Sequence, residues 1–175
     1  MNAGCDRQHA VAQELARGYA ALRADDVAGA HARFTALRAT GPDDPDVLHG
    51  LACVALAAGR ADHAIALAGR ALRIAPQGLF HEVLARALLA QGPADAARAA
   101  IRLACLRQPD DAGIHLARAE IMEAVGAVAE AAQAFGQAGR LSGMDGGYAR
   151  VLHARFLWRR GRRAVRPPRP APPPA

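Results

Sequence analysis

Histidines and cysteines are the residues of this chain whose types could bind a metal ion or provide a nucleophile. His49 and Cys53 are four residues apart, which places both on one face of a helix, where they could form half of a zinc site. The other histidines, among them His63, His81, His115 and His153, do not complete a ligand set. We therefore predict partly exposed histidines and free thiols without a metal ion. Cys105 lies at an inward-facing position and is predicted to be a buried, unreactive thiol.

Other catalytic groups are scarce. The chain has no lysine, which excludes a P-loop and a Schiff-base mechanism, and its only serine, Ser142, does not lie in a nucleophile elbow. The paired aspartates precede predicted helices, where their carboxylates would cap the first turn and complement the helix dipole; the pairs are Asp25–Asp26, Asp43–Asp44 and Asp110–Asp111. We expect no enzymatic activity, no cofactor and no small-molecule substrate.

The net charge of +6 is concentrated near the C-terminal end. All 22 basic residues are arginine, and eight of them lie from Arg150 onward, whereas no acidic residue follows Asp145. Residues 1–149 hold 14 arginines against 16 acidic residues, so the predicted helical part is slightly acidic. A GC-rich genome would also produce a lysine-free chain rich in alanine and arginine, without any functional reason.

Hydropathy and cysteine usage indicate the compartment. No stretch approaches the roughly 18 consecutive apolar residues that a membrane span needs. The first residues, "MNAGCDRQHAVAQELARG", lack the apolar core of a secretory signal. Cysteines at positions 5, 53 and 105 form no disulfide framework. We expect a cytoplasmic protein with no transmembrane segment.

The elements that position these residues follow from an internal repeat. Four stretches of 32 residues align without a gap, namely 11–42, 45–76, 78–109 and 112–143. Their eighth positions are Gly18, Ala52, Ala85 and Ala119, and their twentieth positions are Ala30, Ala64, Ala97 and Ala131. Their fifteenth positions are Asp25, Gly59, Gly92 and Gly126, and their last positions are Pro42, Pro76, Pro109 and Gly143.

A pair of helices explains each repeat. Apolar residues recur every three or four positions in two segments of about 14 residues, and a turn at the fifteenth position separates the segments. Glycine adopts the left-handed conformation that ends a helix, and the closing proline prevents the second helix from continuing. Small residues at the eighth and twentieth positions would let the paired helices approach closely. A single pair cannot bury its apolar face, so neighbouring pairs must stack.

This pattern resembles the tetratricopeptide repeat (TPR) family, whose repeat is 34 residues long. The resemblance implies an all-α fold, a right-handed α-solenoid of antiparallel helix pairs, with four tandem units over residues 8–144. The large aromatic residue that the family has at the fourth position is replaced here by Glu14, Leu48, His81 and His115. We expect a capping helix over 145–160, with Val151, Leu152 and Phe156 covering the last apolar face. Residues 161–175, rich in arginine and proline, are predicted to be disordered.

The resemblance also implies a binding surface, because in this family the first helix of each unit lines a concave groove. The residues at groove positions are Tyr19, Arg23, His49, Cys53, Glu82, Arg86, Glu120 and Glu123. Some family members clamp a C-terminal carboxylate with Lys, Asn and Arg at such positions. Here Leu15, Tyr19, His49 and Cys53 stand at the front of the groove, so that clamp is absent. Glu82 and Arg86 are spaced to pair with each other.

Three functional hypotheses remain open. The first is a non-enzymatic adaptor that binds a protein or peptide partner of unknown identity in the groove. The second is a recognition module, separately encoded or truncated, of a glycosyltransferase or similar enzyme. The third is binding of nucleic acid or an anionic surface through the arginine-rich tail.

Overall fold

The structure, a computed structural model, describes residues 3–41 and 43–143 together with residues 151, 152, 154 and 156. Helices follow one another through the first two of these ranges, without a strand between them. They are α1 (Ala3–Arg23), α2 (Val27–Thr40), α3 (Pro45–Ala57), α4 (Ala61–Ile74), α5 (Gly78–Gln91), α6 (Ala94–Arg107), α7 (Ala112–Ala124) and α8 (Val128–Leu141). None of the described helices is long and apolar enough to cross a membrane.

The turn within each pair lies at the predicted fifteenth position. Asp25, Gly59, Gly92 and Gly126 have φ angles of 62°, 71°, 120° and 79°, in the region that L side chains rarely adopt. Three of these four residues are glycine. Aspartate tolerates this conformation better than most residues with a side chain, which explains why Asp25 can occupy the remaining turn.

The predicted helix caps are formed by the second aspartate of each Asp–Asp dipeptide. The side chain of Asp26 accepts a hydrogen bond from the Gly29 N–H at 2.8 Å, and that of Asp111 accepts one from the Ile114 N–H at 3.0 Å. The side chain of Asp44 accepts from the N–H groups of Asp46 and Val47. These carboxylates are therefore structural, because they satisfy N–H groups that lack a partner within the helix.

Small residues form the contacts within each pair, as the repeat predicts. The eighth-position alanines of α3, α5 and α7 are fully buried, and so are the twentieth-position alanines of α2, α4, α6 and α8. Ala64 in α4 has no exposed surface, whereas Ala66 on the same helix is exposed. The core consists of two clusters, one around Phe34, Leu48 and Phe80 and the other around Ile101 and Phe135.

The two helices of each pair occupy different layers. Each first helix contacts the next first helix, from α1 through α3 and α5 to α7. Each second helix contacts its own first helix and that of the following pair, and the described residues make no comparable contacts between successive second helices. The first helices therefore lie closer together, which places them on the inner side of the curved stack.

The predicted capping helix is described at four positions, which are helical, and the rest of residues 145–160 lies outside the described residues. Phe156 is buried, with its ring centroid 5.3 Å from that of Phe135, and Leu152 packs against the same cluster. The prediction for Val151 was wrong, because 63% of this residue is exposed. Val151 immediately precedes Leu152, and adjacent residues of a helix point about 100° apart. The predicted tail, 161–175, also lies outside the described residues.

Candidate functional site

The candidate site lies on the first helices and begins where α1 meets α3. The Tyr19 hydroxyl donates a hydrogen bond to the Asp46 carbonyl oxygen at 3.3 Å and lies 2.7 Å from Nδ1 of His49. Nε2 of His49 lies 3.6 Å from Sγ of Cys53, one helical turn further along α3. The structure thus joins three of the predicted groove residues in a single hydrogen-bonded chain across two helices.

Burial keeps these groups neutral. Desolvation lowers the pKa of His49 from 6.5 to about 4, only partly opposed by a hydrogen bond with the backbone of Leu79. Desolvation also raises the pKa of Cys53 from 9.0 to about 12 and raises the pKa of Tyr19. A reactive cysteine needs its thiolate, so a neutral imidazole beside a protonated thiol is a poor nucleophilic pair.

Aromatic rings support this end of the site. The rings of Tyr19 and Phe34 meet edge to face, with centroids 5.2 Å apart and an interplanar angle of 64°. The rings of His49 and Phe80 also have centroids 5.2 Å apart. Phe34 and Phe80 are fully buried, whereas Tyr19 is half-buried. The polar atoms of Tyr19 and His49 therefore lie above an aromatic floor.

The other end of the site is charged. Nε of Arg86 pairs with Glu82 one turn earlier on α5, and the other side of the guanidinium lies 3.0 Å from Oε2 of Glu120 on α7. The pairing of Glu82 with Arg86 was predicted from their spacing, and the bridge to Glu120 adds a link between helices. Because 39% of the Arg86 side chain is exposed, solvent screens these ion pairs.

Cys53 lies between the two ends. Glu82 raises the pKa of Cys53 and Arg86 lowers it, both less than desolvation does, so the thiol is within the field of both charges. We call the resulting series the first-helix row, which consists of Tyr19, His49, Cys53, Glu82, Arg86 and Glu120. Arg23 lies outside this series in the last turn of α1, where it is exposed, and Glu123 is half-buried on α7.

The other described histidines and Cys105 do not form a metal site. His115 is buried, with Nε2 2.7 Å from the Pro109 carbonyl oxygen, while His81 is half-buried on α5 and His63 is exposed on α4. Among the described residues, no group of three or more His, Cys, Asp and Glu side chains could hold a metal ion. Cys105 was predicted to be buried but is half-buried, and desolvation raises its pKa.

Sequence reasoning missed how Phe34 is accommodated. A Cβ atom placed on Gly18 would lie 2.6 Å from the Phe34 ring, and one placed on Gly50 would also collide with it. The ring thus fills space that two glycines leave on α1 and α3. The signal was present in the sequence, because Gly18 is the one glycine at an eighth position that is otherwise alanine.

The stacked helix pairs define an α-solenoid, and part of the chain matches the model of a known family. Residues 21–87 match the family model for the tetratricopeptide repeat. This match supports the resemblance to the tetratricopeptide repeat that the sequence indicated, over residues 21–87.

Solved structures of other proteins share the fold. TTC0263, a thermophilic TPR protein of Thermus thermophilus, is 22% identical with a TM-score of 0.77 over 87% of this chain and 84% of its own. A chain of the APC/C hetero-tetramer Cut9–Hcn1 is also 22% identical, with a TM-score of 0.68 over 82% of this chain and 29% of its own. MamA is 15% identical, with a TM-score of 0.55 over 85% of this chain and 97% of its own. No curated protein sequence matches the chain significantly.

Proposed function

We propose that this protein is a non-enzymatic scaffold or adaptor that binds a segment of a partner protein along its first helices. The observation that carries the proposal is the first-helix row, which links α1, α3, α5 and α7 with half-buried polar side chains and the buried His49 on the inner layer. Such a surface offers hydrogen-bonding and charged groups above an apolar floor, which suits recognition of a peptide segment.

The chemistry of the row supports binding in preference to catalysis. Its thiol and imidazole are neutral near pH 7, because the Cys53 pKa is about 12 and the His49 pKa is about 4. Its carboxylates already share the Arg86 guanidinium. These groups are suited to orienting a partner, and none of them is activated for nucleophilic attack.

The length of the row sets the size of the partner segment. Packed helices lie about 8–10 Å apart, so three steps from α1 to α7 cover about 24–30 Å. An extended segment rises about 3.3 Å per residue, and it would therefore span the row with about seven to nine residues. Such a segment would place an apolar or aromatic side chain near Tyr19 and His49, and a charged side chain near Arg86 and its glutamates.

The experiment has two stages. A photo-crosslinking residue replaces Glu82 in the row, and in a control protein it replaces Arg102, which is exposed on the second helix α6. The crosslinked segment is then synthesised and its affinity measured by calorimetry. We expect Arg86→Glu and Glu123→Arg to change the affinity or its salt dependence, and Arg102→Glu to leave both unchanged. Unaltered binding by the first two variants would place the partner elsewhere.

A second candidate function follows from the charge distribution. The eight arginines from Arg150 onward, with no acidic residue after Asp145, could neutralise phosphates of nucleic acid or of an anionic surface. Truncation of the chain after residue 160 removes four of these eight arginines and leaves the first helices intact, so it tests the contribution of the last segment separately from groove binding.

A further inference from the structure

A recess on the second-helix side of the solenoid has a composition unlike that of the first-helix row. It lies between α2 and α4, with a volume of about 170 Å³. Its floor is apolar and consists of the buried residues Leu51 and Leu67. Its polar lining consists of His31, Thr35, Arg38, Arg60 and His63.

The lining contains two guanidinium groups and two imidazoles but no carboxylate. Within the described part of the chain, no hydrogen bond or ion pair engages the side chains of Arg38, Arg60, His31 or His63. Some arginines on the second helices do have acidic partners, as Arg70 does in Asp43 and Arg98 does in Glu130. Neighbouring cations repel one another, so this arrangement is favourable when an anion lies between them.

The beginning of α4 adds donors at the same place. This helix starts at Ala61, directly after Arg60, and no side chain caps it. Its first N–H groups therefore lack an acceptor, and the helix dipole gives this end a partial positive charge. The acidic residue of this turn, Asp62, is engaged by Nε2 of Gln91 on α5.

We propose that this recess is a binding site for a tetrahedral oxyanion, specifically a phosphoryl group. Arginine recognises phosphate oxygens through two parallel N–H donors, the Thr35 hydroxyl is a further donor, and each imidazole donates at least one N–H. The volume corresponds to about six water molecules at about 30 Å³ each, which accommodates one phosphoryl group with part of its hydration. The recess lies on α2 and α4, so it is separate from the proposed partner groove.

Inorganic phosphate is the first probe, titrated into the ¹⁵N-labelled full-length protein at constant ionic strength, with chloride as the reference anion. We expect resonances of the Arg38 and Arg60 side chains and of the Ala61–His63 N–H groups to shift in a saturable manner. O-phosphoserine amide is the second probe, because it tests whether the phosphoryl group arrives on a larger molecule. Tighter binding of this ester than of phosphate would indicate a modified partner, whereas tighter binding of phosphate would indicate the free ion.

The double variant Arg38→Gln/Arg60→Gln tests the assignment. We expect it to weaken binding of the better probe about ten-fold or more, because two charged donors are lost. The matched control is Arg73→Gln/Arg107→Gln, which removes two exposed guanidiniums from the last turns of α4 and α6. Circular dichroism establishes that both variants fold. Equal affinity of the double variant and the wild type, or shifts confined to arginines after Arg150, would overturn the proposal.

Discussion

The Tyr19 hydroxyl lies 2.7 Å from Nδ1 of His49, joining two helices whose residues are 30 positions apart in sequence. This contact connects the first two helix pairs on the inner layer. His49 is 8% exposed, so its ring nitrogens depend on protein partners more than on water. The relationship carries two predictions, one for stability and one for its dependence on pH.

Removing the Tyr19 hydroxyl should destabilise the protein. Tyr19→Phe keeps the ring against Phe34 but leaves Nδ1 of His49 without this partner, which costs about 1–3 kcal/mol when the group is buried. Urea unfolding measures the loss. The double variant Tyr19→Phe/His49→Leu removes both partners and should lose less than the sum of the two single variants. Strict additivity would show that the contact contributes nothing.

Acid should destabilise the protein through His49. The folded-state pKa of about 4 lies below the ordinary value of 6.5, so between these values the unfolded chain binds more protons. This contribution to stability is complete above pH 6.5 and is lost as pH falls toward 4, by roughly 3 kcal/mol in all. Urea midpoints at about pH 7, above this window, and at about pH 4.5, near its acid end, measure most of the loss. His49→Leu should show a smaller difference between the two pH values, and an unchanged difference would contradict the assignment.

Two glycine substitutions should have opposite effects on stability. Gly50→Ala places a methyl group against the buried Phe34 ring, and overpacking of this kind costs about 1–3 kcal/mol. Gly69→Ala is the matched control within α4, where the nearest atom to an added Cβ is Nη1 of Arg73 at 4.0 Å. There the gain in helix propensity, about 1 kcal/mol, is not opposed by a clash. Thermal melts should show a lower Tm for the first variant and a higher Tm for the second.

The sequence could predict the features that every unit must repeat. A turn residue such as Asp25 or Gly59 recurs in every unit because the backbone needs a positive φ there. An alanine recurs at the position of Ala64 because two helices approach each other at that point. Both are local requirements that a period reveals. The ion pair of Glu82 and Arg86 could be predicted for a similar reason, because both residues lie on one helix.

Relationships between units could not be predicted in the same way. Two contacts depend on how far apart successive first helices lie, namely the ion pair of Arg86 with Glu120 and the hydrogen bond between Tyr19 and His49. The orientation of Val151 depends on packing against a single neighbouring helix pair. Val151 lies after the fourth repeat, so the alignment of the repeats does not predict which way its side chain faces. For the proposed groove, the sequence therefore predicted candidate residues but not which of them touch.

Deleting residues 161–175 tests the second candidate function and should leave the fold unchanged. This segment holds four arginines, six prolines and no acidic residue, and such a composition cannot bury enough apolar surface to contribute to folding. We therefore expect the full chain and the 1–160 protein to share the same helical circular dichroism and Tm. If the segment binds phosphates, the full chain should bind single-stranded nucleic acid or anionic vesicles with an affinity that falls steeply with salt, because each contact releases a counterion. The 1–160 protein should lose that binding, and equal binding by both forms would exclude the segment as the site.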